Sequence, residues 1–197
     1  MKTVSVLALI ALAGAAQATI ELRADPLSSA PSYVDRAGVY SGIPGPYNAF
    51  PAAGGSLGFD DYSSTMANPV EGLTQMRFVG GVTNALETAR FEFYSTAGIL
   101  INSFNVQFPQ GGAFIWTITL GAPIDIPQNG IMQIVATGNS TGRWFLTGVA
   151  PTVGTNSNSF GGANGGALFH AFELTTPTPG ALAVLGLGGL AIGRRRR

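Results

Sequence analysis

Ala89-Arg90-Phe91-Glu92-Phe93-Tyr94-Ser95 alternates apolar and polar side chains residue by residue. In an extended chain successive side chains point to opposite faces, so Phe91 and Phe93 share one face and Arg90 and Glu92 the other. Thr96-Ala97-Gly98 follows as a hairpin turn, with the glycine supplying a positive φ. The return stretch, Ile99 to Phe108, sets Leu100, Phe104, Val106 and Phe108 on one side, with Asn102 among them. Pro109-Gln110-Gly111-Gly112 ends it.

The same pattern extends in both directions. Upstream, Leu57 to Tyr62 is a short strand with a polar end, and Thr74 to Gly80 alternates. Downstream, Ala113 to Leu120 carries Phe114, Trp116, Ile118 and Leu120 on one face and threonines on the other. Pro123 and Pro127 frame a brief Ile124-Asp125-Ile126, expected at a sheet edge because proline has no N–H for a ladder. Gln128-Asn129-Gly130 is a turn before a strand from Ile131 to Thr137, and 138–142 turns into Arg143 to Thr147. Gly154 to Gly166 is low in complexity and reads as a mobile loop, and Ala167 to Leu174 closes the pattern as a last strand.

About eight or nine short strands without a clear helix predict an all-β fold, an antiparallel β-sandwich that is jelly-roll-like. Bulky apolar faces backed by Thr, Ser, Asn and Gln predict two sheets packed by their inner faces. A parallel sheet would read as continuous apolar runs instead. Leu22 to Gly55, crowded with proline and glycine, reads as loop.

The ends of the chain have a different composition. Met1-Lys2-Thr3, the apolar Val4 to Ala16 and the small-x-small Ala16-Gln17-Ala18 read as a helical secretory signal peptide, residues 1–18, a substrate for signal peptidase. At the other end Pro177-Thr178-Pro179-Gly180 opens an apolar run containing Ala181, Leu182, Val184, Leu185, Leu187, Leu190 and Ile192. Arg194, Arg195, Arg196 and Arg197 follow it directly. The fourteen residues from Gly180 to Gly193 would make a helix of about 21 Å, short against a hydrocarbon core of about 30 Å. Such a transmembrane helix suits a temporary stop, with the arginines held on the cytoplasmic side.

This order of Pro-x-Pro, apolar span and basic end resembles the PEP-CTERM sorting domain of bacterial exported proteins, over about one tenth of the chain. Thr178 stands where the namesake motif has glutamate. The resemblance implies transient inner-membrane insertion, handling by an exosortase-like membrane enzyme, and a location in the cell envelope or outside the cell. The chain thus divides into a signal peptide (1–18), a Pro/Gly-rich N-terminal segment (19–55), a β-sandwich domain (56–176) and a sorting signal (177–197).

Between the two ends, residues 19–176 hold all ten carboxylates and five arginines (Arg23, Arg36, Arg77, Arg90, Arg143), a formal charge of −5. This acidic, lysine-free window argues against nucleic acid, whose phosphates demand basic contacts. Cysteine is absent and His170 is the lone histidine. Thiolate metal sites, iron–sulfur clusters and any constellation needing two histidines are closed off. No cofactor is expected.

Few residues are left as candidates for chemistry. Asp60-Asp61 is the adjacent carboxylate pair, a weak calcium candidate, since calcium takes about six to eight oxygens. Tyr33, Tyr40 and Tyr47 recur every seven residues. Tyr40, Tyr47 and Trp144, the last beside a polar turn, are candidates for stacking on sugar rings, whereas Trp116 belongs to an apolar face. Glycoside hydrolysis needs two carboxylates about 5–9 Å apart, and nothing in the spacing of Glu87, Glu92, Asp125 and Glu173 selects a pair. Glu92 is expected on a solvated face, paired across the sheet with an arginine such as Arg77. The leading expectation is a structural or adhesive protein of the cell surface or extracellular matrix rather than an enzyme. The alternative is a carbohydrate-binding module for exopolysaccharide.

Overall fold

The computed structural model describes residues 19–27, 38–48, 56–157 and 168–176. The signal peptide, the sorting tail, Tyr33 and the glycine-rich 158–167 lie outside them. The described residues contain strands and turns and no helix. In chain order the strands are β1 (Ile20–Asp25), β2 (Gly38–Ser41), β3 (Tyr47–Asn48), β4 (Ser56–Ser63), β5 (Val70–Val82), β6 (Thr88–Ser95), β7 (Leu100–Gln107), β8 (Phe114–Pro127), β9 (Asn129–Thr137), β10 (Gly142–Trp144), β11 (Leu146–Thr147), β12 (Phe169–His170) and β13 (Phe172–Thr175).

The protein is all-β, and every strand pairing is antiparallel. One sheet runs β1-β8-β5-β13-β2, with β10 also on β5; a second runs β4-β9-β6-β7; a small third runs β12-β11-β3. The β6–β7 hairpin forms where the alternation predicts, with Gly98 at φ +77° donating its N–H to Ser95 O at 2.9 Å, but a register shift between Phe93 and Tyr94 sets Leu100 opposite Tyr94, exposed and off the Phe104 face expected for it. Phe91 lies opposite Phe104 on β7 and Ile134 on β9. Phe91 meets Phe78 of β5 edge to face at 5.3 Å, and Phe108 meets Trp116 of β8 at 4.9 Å. One apolar cluster therefore takes side chains from both large sheets. Each such ring pair adds about 0.5–1.5 kcal/mol beyond its buried area.

Three expectations are corrected. Residues 19–55 are not simply loop: β1 pairs β8, β2 pairs β13, and β3 pairs β11, so the division at residue 55 separates strands that share sheets. Ile20, Leu22 and Ala24 pack on the core at every second position, a signal the surrounding prolines obscure. Ile124-Asp125-Ile126 is not a separate strand but the far end of β8, reached across a register shift opposite Leu73–Gln75. Because β1 pairs only residues 115–120 of β8, Pro123 and Pro127 flank a part that β1 does not reach. The start of the expected mobile loop is pinned: Val153 bridges Ser41 and Thr155 bridges Ser63.

Candidate functional site

A buried polar cluster lies where β4 meets β12 and the 153–157 segment, and it is built on the Asp60-Asp61 pair. Asp60 is fully buried. Its Oδ2 accepts the His170 N–H at 2.7 Å, and its Oδ1 accepts the Asp61 N–H at 3.0 Å. Burial pushes the Asp60 carboxyl up to about 7, and neighbouring Asp61 adds to the rise; hydrogen bonds from the His170 backbone and the Asn156 side chain oppose it. Asp61 Oδ2 accepts the Ser157 N–H at 2.8 Å, while its Oδ1 is buried without a hydrogen-bond partner. Asn156 Nδ2 donates to the Asp61 carbonyl at 2.7 Å and to the Tyr40 hydroxyl at 3.4 Å.

Three of these four carboxylate oxygens thus face N–H donors. Among the described residues no group of three His, Asp or Glu side chains comes together as a metal cage. The geometry clamps strands: it fastens the outer edge of β4 to β12 and to the 153–157 segment.

The aromatic candidates are placed otherwise than expected. Trp144 and Tyr40 are fully buried, so neither presents a ring to a sugar. Trp144 lies opposite Gly80 of β5, stacks on His170 at 4.1 Å and donates Nε1–H to the Ala171 carbonyl at 3.2 Å. Proximity to a polar turn said nothing about which way this side chain points. Tyr40 stacks on Phe172 at 4.5 Å. Tyr47 is partly buried, its hydroxyl donating to the Ile43 carbonyl at 2.8 Å. His170 is a buried strand residue whose imidazole burial drives down to about 3, so it is neutral.

The carboxylates weighed for hydrolysis fall on separate elements. Glu87 lies in the turn before β6 and accepts from the Asn84 N–H and Nδ2 at 2.9 Å each. Asp125 is in β8. Glu173 is buried in β13, where Ser41 Oγ donates to it at 3.3 Å and Arg77 lies opposite in the register. Glu92 is not on a solvated face and does not pair with Arg77, which belongs to the other sheet. It is only 4% exposed, gripped by Arg90 Nε at 2.6 Å and the Tyr94 hydroxyl at 2.7 Å, both on its own strand. Side chains at alternate positions share a face, and here that spacing lets the two neighbours cover the charge.

Sequence reasoning missed Gly58 and Asn156. A Cβ on Gly58 would stand 2.5 Å from His170 Cε1, and the residue's φ is +151°. A glycine inside a strand pattern, such as Leu57-Gly58-Phe59, is the signal for a close approach of this kind. Asn156 sits in the low-complexity loop, where nothing distinguishes it.

The clamp sets a pH dependence with two opposed parts. Asp60 has a folded pKa of about 7, above its ordinary 3.8, so its contribution to stability falls as pH rises between those values. His170 has a folded pKa of about 3, below its ordinary 6.5, so its contribution is lost as pH falls between those values. From about pH 4 to 6.5 the two nearly cancel and the wild-type profile is expected to be flat with respect to this pair. In His170→Gln the Asp60 slope is exposed, and stability should rise on acidification by up to about 1.4 kcal/mol per pH unit. Urea denaturation at half-unit pH steps reads this directly; parallel profiles for the two proteins contradict it.

No protein-family profile, curated protein or solved structure matches this chain.

Proposed function

We propose that the chain is an exported bacterial protein of the cell surface or extracellular matrix. Its β domain serves a structural or adhesive role, and its C-terminal end is an exosortase-type sorting signal. The observation that carries this reading is the order of parts at the two ends. A basic, apolar, small-residue leader stands in front, and Pro177-Thr178-Pro179, an apolar run and Arg194–Arg197 stand behind. Arginine stays charged at any accessible pH, so the last four residues resist translocation and halt an exported chain at the inner membrane.

The domain supports a passenger role. Its buried carboxylates, Asp60, Glu92 and Glu173, are engaged in bonds between and along strands. We read the two large sheets as a jelly-roll β-sandwich. Leaving β1 aside, the strands fall as β2-β13-β5-β8 in one sheet and β4-β9-β6-β7 in the other, four against four. Successive strands of these eight cross between the sheets at β2 to β4, β4 to β5, β5 to β6, β7 to β8, β8 to β9 and β9 to β13, which supports a double-sheet jelly roll. The carbohydrate-binding alternative loses Trp144 and Tyr40 as stacking surfaces.

The test is to compare the intact chain with one in which Arg194–Arg197 are replaced by glutamine, using cell fractionation and intact mass of the exported product. The expected product lacks residues 1–18 and is processed near Pro177–Gly180, whereas the glutamine variant is mislocalised or unprocessed. Equal amounts of both proteins in the same compartment with the same mass would refute the sorting reading.

A further inference from the structure

We propose that the end of the domain carrying the β6–β7 hairpin tip dips into a lipid surface, Ile99, Leu100 and Ile101 entering the bilayer interface on the side toward which the chain leaves the domain. The inference rests on the sorting reading for the tail that holds the domain at the membrane, and it adds a lipid contact made by the domain itself.

The register brings the tip and the exit to one end. β6 finishes at Ser95, opposite Gly130 at the start of β9. Gln128 alone separates β9 from Pro127, the last residue of β8, which lies opposite Val70 at the start of β5. β13 runs antiparallel to β5, from Phe172 opposite Phe78 to Thr175 opposite Gln75, so it is directed toward the same Val70 end. Six large apolar side chains are exposed among the described residues, and four of them belong to this end: Ile99 at 64%, Leu100 at 49%, Val70 at 48% and Ile101 at 40%. Of the other two, Phe59 lies within β4 and Leu86 in the turn before β6, at the opposite end.

The tip suits a fluid partner better than a folded one. Ile101 falls in the register shift between Phe93–Asn102 and Tyr94–Leu100, so the hairpin offers an added strand neither an unbroken ladder nor a regular face there. Lipid demands no register. It demands that backbone polar groups be satisfied within the segment. Here the Ser95 N–H donates to Ile99 O at 2.8 Å, the Gly98 N–H to Ser95 O at 2.9 Å and the Ile99 N–H to Ser95 Oγ at 3.2 Å. Behind the tip come Tyr94, opposite Leu100, and then the Arg90–Glu92 ion pair. Apolar, tyrosine, charge is the order of groups from the hydrocarbon outward through a membrane interface.

The tether selects the bilayer. Pro177, Thr178 and Pro179 alone separate Thr176 from the apolar run that begins at Gly180. Even fully extended they reach about 14 Å, so a membrane-held run keeps this end of the domain at the surface. A span of about 21 Å in a hydrocarbon layer of about 30 Å is accommodated by local thinning and by drawing its flanks inward. Charge agrees: residues 19–176 carry −5, yet no charge occurs between Glu92 and Asp125. Glu71 and Asp125 lie within two residues of Val70 and Pro127, so zwitterionic lipid suits this end better than anionic lipid.

The chain has no cysteine, so a single label site can be introduced at will. Full-length Leu100→Cys and, as the control at the opposite end, Ala85→Cys are labelled with an environment-sensitive fluorophore, reconstituted through the tail in phosphatidylcholine vesicles and recovered by flotation. Quenching by spin-labelled lipid is expected to be about threefold stronger at position 100 than at position 85. Adding Ile99→Ser and Ile101→Ser to Leu100→Cys should lower it to the level at 85 with the thermal midpoint unchanged, because these side chains are exposed. Equal quenching at 100 and 85 in chains that float overturns the proposal and leaves the sorting reading standing. Chains that do not float overturn both. A fluorescence shift at position 100 that lipid quenchers do not reach and that vanishes on dilution reports a second copy of the chain there, and also overturns the proposal.

Discussion

Trp144→Ala is expected to abolish stable folding or leave a domain that melts far below the wild type. Truncating a buried tryptophan costs about 3–5 kcal/mol, against a whole-domain stability of about 5–15 kcal/mol. Here the loss includes the Nε1–H bond to Ala171, the stack on His170 and an edge-to-face contact with Phe172 at 5.5 Å. These contacts tie β10 to β12 and β13, so three elements loosen together. Trp144→Phe keeps a ring in the slot and should recover part of the loss, giving a graded series in chemical denaturation. Equal stability of wild type and Trp144→Ala would show that the ring is not in the core. The experiment also bears on ligand tests: loss of glycan binding in Trp144→Ala would report unfolding, not a missing contact.

Gly58→Ala should be nearly as damaging, although it adds a single methyl group. The new Cβ would lie 2.5 Å from His170 Cε1 and 2.6 Å from Nε2, and the imidazole cannot retreat because Trp144 is stacked against it. The φ of +151° disfavours a side chain as well. Overpacking and backbone strain together are expected to cost on the order of 3 kcal/mol or more. Gly98→Ala provides the contrast: its φ is +77° but nothing lies within 4 Å of the added atom. It should lose about 1–2 kcal/mol from backbone strain alone. Combining Gly58→Ala with His170→Ala should cost less than the sum of the single changes, since the second makes room for the first. Strict additivity would place the damage elsewhere.

The strands that were legible in the sequence are those with one wet and one dry face. Phe91 and Phe93 against Arg90 and Glu92 define β6, and Phe114 to Leu120 defines the first half of β8, without any tertiary information. β1 and β2 were hidden because prolines and glycines around them break the pattern into pieces too short to show a period. The cluster at Asp60 was half legible. Adjacent carboxylates stand out, but whether they face a cation or backbone N–H groups depends on Asn156, Ser157 and His170, about a hundred residues downstream. Orientation was the weakest reading. Alternation tells which residues share a face, not which face is covered, and the polar turn beside Trp144 does not show that its ring is buried.

The place of β13 also bears on how the domain is made. Phe172–Thr175 runs between β5 and β2 in the interior of the first sheet, and β2 has it as its sole strand neighbour among the described residues. A ribosome emits residues at about 5–20 per second, so β2 is out for several seconds before its mate. Until then the layer has a gap where the missing ribbon belongs. The keystone arrives last, immediately before the prolines at 177 and 179, so the first sheet closes only once nearly all of the chain has been made.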